Sequence, residues 1–262
     1  MAQFLRDEYV KNVSISEDIL IQLAESFESR AKHFIDAAKH DEKQQPFMTF
    51  ILRFDNKGYK FFNINELLQS FRKAKNIERI IITIETAESL ASYRNSGSYL
   101  ELKLDGKNLD NSILHVSSDT SDWVDSSFST IKDILDKSST YYGIARSVWA
   151  TLAIQLFGVI ACFGLSFWAA EKISGNLSID NSFIISFLFI LLLFSNAWGY
   201  LNQALLKFIH QIFPNVKFHR PNKDKKNWLL QGVITGLAGA LTLYILGSVF
   251  SYVGEFLNRI VK

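Results

Sequence analysis

The sequence predicts an α+β domain, with a mainly antiparallel sheet and helices on one face, followed by an all-α transmembrane bundle of three helices. Two observations carry this. Up to about residue 140, apolar residues recur among charged ones at the spacings of amphipathic helices and half-buried strands. Beyond that point, stretches near 148–170, 182–206 and 228–252 contain no Asp, Glu, Lys, Arg or His. Each is long enough, at about 20 residues or more, to cross a hydrocarbon core.

In the first part, Leu20, Leu23, Phe27, Ala31, Phe34 and Ala38 fall on one face of a helix over 14–40, with Ser14 and Glu17 at capping-box spacing. FMTFILRF (47–54) reads as a strand, DNKG (55–58) as a hairpin turn and YKFF (59–62) as its partner. INELLQSFRKAKN (64–76) reads as a helix, and IERIIITIE (77–85) as a strongly apolar strand. SYLELKLDG (98–106) alternates as a half-buried strand, SILHVSS (112–118) is the last strand, and 121–139 the last helix. The N-terminus is polar, mixed in charge and without the apolar core of a secretory signal peptide. The expected division is an α+β sensing or interaction domain over 1–140 and a transmembrane domain over 141–262.

The first apolar stretch carries Trp149 and Trp168 near its ends, about 28 Å apart along a helix, as two interfacial belts require. Trp198 and Tyr200 suggest an interface toward the end of the second. The linker 207–227 holds Lys207, Lys217, Arg220, Lys223, Lys225 and Lys226 against one acid, Asp224. By the positive-inside rule it is cytoplasmic, as is the N-terminal domain, in a multi-pass protein of the inner (plasma) membrane. Lys217, Arg220, Lys223, Lys225 and Lys226 are also placed to meet lipid headgroups. Small residues recur four apart, Gly158, Cys162, Ser166 and Ala170 in the first stretch and Gly232, Gly236 and Ala240 in the third, as helix-packing ridges that fit a homo-oligomer. Gln155 and Asn196 are candidates for interhelical hydrogen bonds or a pore lining.

Chemistry is sparsely signalled. There is no phosphate loop, no dinucleotide-binding glycine pattern, no nucleophile elbow and no zinc spacing, so no catalytic residue, cofactor or metal is expected. A net charge of +2 gives no nucleic-acid signature. The single cysteine, Cys162, excludes a disulfide framework within the chain and fits a reducing compartment. The stretch 112–128 holds triad-type residues, but most of its Ser and Asp content is accounted for by helix capping ahead of an apolar-periodic segment. His115, Asp119, Asp122 and Trp123 remain as candidate contacts for a partner.

In its layout the chain resembles the membrane effectors of bacterial anti-phage systems, in which a small sensing domain is joined to a short helical bundle that perturbs the membrane. The resemblance covers the arrangement of the whole chain. It implies a non-enzymatic effector whose cytoplasmic domain responds to a protein or small ligand and whose oligomeric bundle acts on membrane lipid. The alternatives are a membrane-anchored scaffold or adaptor, and a channel or transporter subunit.

Overall fold

The structure, a computed structural model, describes residues 3–39, 41–108 and 111–219, together with 232, 233 and 236. The chain divides into two units, Met1–His219 and Arg220–Lys262. In the second, Gly232, Val233 and Gly236 are helical and exposed. The rest of the expected third span, Ala240 included, and Arg220, Lys223, Lys225 and Lys226 lie outside the described residues.

The first unit opens with β1 (Phe4–Tyr9) and β2 (Val13–Ile15), followed by helix α1 (Glu17–Ala38). A short 3-10 turn leads into β3 (Pro46–Phe54), β4 (Lys57–Phe61), α2 (Ile64–Lys73) and β5 (Ile77–Thr86). Then come α3 (Ala87–Ala91), β6 (Tyr99–Asp105), β7 (Ile113–Ser118) and α4 (Ser121–Lys137). Six strands form one antiparallel sheet in the order β1-β7-β6-β5-β3-β4. Asp55 and Asn56 both have positive φ (49° and 63°), the twist a two-residue hairpin needs. They place the turn within the expected DNKG and let β4 begin at Lys57.

Strand period 2 separates the faces. On one, Phe50 and Leu52, Ile80, Ile82 and Ile84, Leu100, Leu102 and Leu104, and Leu114 and Val116 are all 2 % exposed or less. Leu20, Leu23 and Phe27 of α1, Leu67 and Phe71 of α2, and Phe128 and Ile131 of α4 join them in a single core. Each such burial contributes about 1.5–3 kcal/mol before the entropy of ordering the chain is subtracted. The other face is open. Cross-strand register sets Asp7, His115, Glu101, Thr83 and Thr49 in one row across it.

Several expectations are revised. β1 was unexpected, because its inward-turned residues are Arg6 and Glu8, paired with Asp125 and Lys132 of α4 rather than apolar. The α1 cap is Ser16, whose hydroxyl accepts from Ile19 N at 3.3 Å, because Ser14 is taken up in β2.

After α4, α5 (Tyr142–Ala145) leads to two apolar helices, α6 (Val148–Ser174) and α7 (Ser182–Ile212). Both are long and apolar enough to cross a membrane, and only 11 % of the most apolar window of each is buried in the protein. α7 runs on through Lys207 and His210, residues the sequence had placed in a loop. The two helices pack together through the four-residue ridge. Gly158, Ser166 and Ala170 are buried, and on α7 so are Ser186 and Ile190. The Cys162 thiol meets the Phe194 carbonyl at 3.5 Å. The indole of Trp198 lies on Gly158 and fills the seam. A Cβ at 158 would stand 1.7 Å from Trp198 Cε2.

Gly158→Ala should therefore force the helices apart at this level and cost about 1–3 kcal/mol, the range for overpacking. Thermal unfolding in detergent would show a lowered midpoint, partly recovered in Gly158→Ala/Trp198→Ala. An unchanged midpoint in the single variant would contradict the seam.

Candidate functional site: the joint between sheet and hairpin

The residues that lead into the helical hairpin and those that leave it meet at β2. Leaving α7, the chain passes Asn215 and forms β8 (Val216–Phe218), which pairs in parallel with β2 as Val13↔Val216, Ser14↔Lys217 and Ile15↔Phe218. His219 N continues the ladder by donating to Ile15 O at 2.8 Å. On the other side of β2 lies the segment after α4. Ser14 N donates to Ser138 O at 2.9 Å, Thr140 N donates to Asn12 O at 2.6 Å, and Val13 bridges Ser139.

Asn215, 3 % exposed, is the node. Its Oδ1 accepts from Asn12 N at 2.8 Å, its Nδ2 donates to Val10 O at 2.9 Å, and its carbonyl accepts from Val13 N at 3.0 Å. Asn12 sits in the left-handed region (φ 57°), where asparagine is among the better-tolerated side chains. Its amide lies so close to Gly143 that a Cβ there would be 2.5 Å from Asn12 Nδ2.

Arg146 closes the root of the hairpin. Its Nη1 donates to Phe213 O at 2.9 Å and His210 O at 3.3 Å, carbonyls at the C-terminal end of α7 that have no helical partner. Burial lowers the Arg146 pKa from the ordinary arginine value, but a guanidinium remains charged at any physiological pH. Tyr142 stacks edge-on against Phe213 at 5.6 Å, and its hydroxyl accepts from Lys217 Nζ at 3.2 Å. Lys217 is thus tied to the joint on the protein side. Val13, Ile15 and Val216 belong to the main core, with Phe218 packed against it, so the joint is seated in the domain's own interior.

The candidate partner contacts do not come together. Trp123 is 5 % exposed and packs edge-on against Phe34 at 5.1 Å, so it is a core residue and unavailable as a surface anchor. His115 lies on the opposite, open face, half-buried, its ring 5.6 Å from that of Tyr99. There Tyr99 donates to Glu101 and carries Arg94 over its ring at 3.9 Å, and burial together with the Glu101 carboxylate pushes its phenol far above the ordinary value. Asp122 is exposed in the first turn of α4. Capping does not absorb Asp119 as expected. Thr120 is the N-cap residue of α4 and makes no side-chain cap bond, while the Ser118 hydroxyl pairs with Ser98 at 2.7 Å and accepts from Thr120 N at 3.3 Å. In the hairpin, Gln155 and Asn196 both face outward, away from the α6–α7 seam.

The joint escaped the sequence because it is assembled from three-residue pieces far apart in the chain. The one local signal was Asn12 and Asn215, each immediately before a valine that opens a three-residue strand. No protein-family model, no curated protein and no solved structure matches the chain.

Two substitutions check this geometry. Asn215→Ala orphans the part-buried N–H of Asn12 and the buried carbonyl of Val10, and should cost about 2 kcal/mol locally. Hydrogen exchange should accelerate at the amides of Asn12, Val13 and Thr140 while those of β5 and β6 keep their protection. Asp119→Ala should shift stability by less than about 0.5 kcal/mol in chemical denaturation, as for a residue without a cap bond. A loss of 1 kcal/mol or more would restore the capping role.

Proposed function

We propose that the chain is an integral membrane protein in which a cytoplasmic α+β domain senses a partner or ligand and drives an oligomeric helical assembly that perturbs the membrane, in the manner of bacterial anti-phage effectors. The observation that carries this is the double fastening of the apolar hairpin. The segments that lead into it and out of it, Ser138–Thr140 and Asn215–His219, are both hydrogen-bonded to strand β2 and the adjoining Asn12, and β2 is seated in the domain core. A simple tether needs one flexible link, and such a link would lose any rotation or change of assembly in the domain. Two links to one rigid element pass it on.

Three further features support the reading. Trp149 (81 % exposed) and Trp168 (60 % exposed) stand on the outer surface of α6 at the spacing of two interfacial belts. The root of the hairpin carries Arg146, Lys207 and Lys217, whereas its tip carries Glu171, Lys172 and Asp180. This charge bias favours a cytoplasmic root and domain. The apolar surface left open on α6 and α7 is far more than one chain covers, which suits lipid and further copies.

A membrane-anchored scaffold is the rival reading, favoured by the open sheet face with its row of Asp7, His115, Glu101, Thr83 and Thr49. Induced expression separates the two. The effector should float with membranes, resist carbonate extraction and collapse the membrane potential, and Asn215→Ala should keep the membrane fraction while blunting the collapse. A chain that floats but leaves the potential intact at toxic levels would overturn the effector reading. A stable cytoplasmic partner captured through the open face would then favour the scaffold.

A further inference from the structure

We infer that the free edge of β1 is a self-pairing surface, on which a second copy of this chain adds its own β1 antiparallel and extends the sheet through a two-fold axis at Asp7. All six residues of β1 are exposed, and among the described residues β7 is its only neighbour in the sheet. Val10 N donates to Ser112 O across from β1, so the alternation of an antiparallel ladder turns the main chains of Phe4, Arg6 and Glu8 toward β7. The N–H and C=O groups of Leu5, Asp7 and Tyr9 therefore point outward. Among the described residues they form a row of unpaired donors and acceptors of the kind that recruits another strand.

The register follows from those outward groups. A two-fold axis perpendicular to the sheet keeps like faces together, so outward-bonding residues must oppose one another. Centring the axis on Asp7 lets Leu5, Asp7 and Tyr9 meet Tyr9, Asp7 and Leu5 of the second copy, using every free main-chain group of the strand. On the open face this sets Leu5 (59 % exposed) beside Tyr9 (54 % exposed) twice. On the helix side it sets Arg6 beside Glu8 twice. Apolar pairs and opposite charges face each other at four of the five central positions, and only Asp7 meets its like. The far edge of the sheet lacks this self-complementarity. β4 (KGYKF) carries Lys57 and Lys60 with no acid, and a second β4 would be repelled. One self-complementary edge and one that repels itself give a closed dimer rather than a filament.

This supplies the assembly step of the proposed function but is read independently of any effect on membranes. The probe is the full chain in detergent, bearing single cysteines against the native background that contains only Cys162. In the inferred register Asp7 opposes Asp7 at a Cα separation of about 5.5 Å, within disulfide reach, whereas the two Tyr9 residues are about 13 Å apart along the strands. Asp7→Cys should form a disulfide-linked dimer on mild oxidation, and Tyr9→Cys and the unsubstituted chain should not.

Sedimentation completes the test. Arg6→Glu should weaken the dimer about ten-fold or more, and Arg6→Glu/Glu8→Arg should restore it even though the double variant loses its pairs to Asp125 and Lys132. Asp7→Asn should tighten it by up to about five-fold. A monomer at all concentrations, equal cross-linking of Asp7→Cys and Tyr9→Cys, or mass that grows beyond a dimer through Lys60 would each overturn the inference. Equal cross-linking of the two cysteine variants in a chain that still sediments as an oligomer would remove this edge and leave assembly through another surface, so this proposal can fail while the preceding one stands.

Discussion

Strand β2 is three residues long and could not persist alone, because a strand that short has too few hydrogen bonds to offset the entropy of ordering it. It exists because two other segments are brought to its edges, and those segments are the ones that enter and leave the helical hairpin. The dependence runs both ways. Val13, Ile15 and Val216 are buried in the core that α1 and the sheet create, and that burial holds β8 in place. Asn215 makes the arrangement specific. A buried amide with both of its polar atoms used tolerates one geometry, and any slip of β8 along β2 would strand the N–H of Asn12 and the carbonyl of Val10 in an apolar setting. Apolar contacts alone would tolerate such a slip.

The hairpin follows a different rule. Its seam is made by small residues four apart on α6 that admit larger groups from α7, most closely the Trp198 indole at Gly158. The ridge read from the sequence as fit for association between copies is thus used within the chain, over Gly158, Cys162 and Ser166. What remains for other partners is the outer surface, where Gln155 and Asn196 are exposed. In the membrane setting proposed above, two amides on a lipid-facing surface are costly unless another helix meets them. The outer faces, rather than the glycine ridge, are therefore where contacts between hairpins would form.

What was legible in the sequence was whatever the hydrophobic period repeats. β3, β5, β6 and β7 and helices α1, α2 and α4 each bury a regular stripe, and their existence followed from that stripe alone. β1 was missed because an edge strand facing a helix with Arg6 and Glu8 has no apolar face to announce it. β2 and β8 were missed because three residues cannot display a period. Trp123 was misplaced for the opposite reason. It falls at helical spacing with Phe128, Ile131 and Leu135, yet its place beside the polar Ser121, Asp122 and Asp125 makes it a candidate contact, and at the first turn of α4 it is turned inward onto Phe34. Local composition reports the surroundings in the chain, and burial depends on the surroundings in space.

These parts combine mechanically. α6 spans 27 residues, a lever about 40 Å long at 1.5 Å per residue. With a single flexible attachment, tilting the domain would leave such a lever where it was. With α6 entered through Arg146, which holds the end of α7, and α7 left through Asn215, which holds Asn12 and β2, the hairpin cannot swing without breaking these hydrogen bonds. A tilt of the domain by about 10° would then carry the far end of the hairpin through about 7 Å, more than one helical turn. Pairing two domains at a fixed angle would set the angle between two hairpins to the same degree. The proposed association of two domains, even if weak, would thereby acquire geometric control over apolar helices that it never touches.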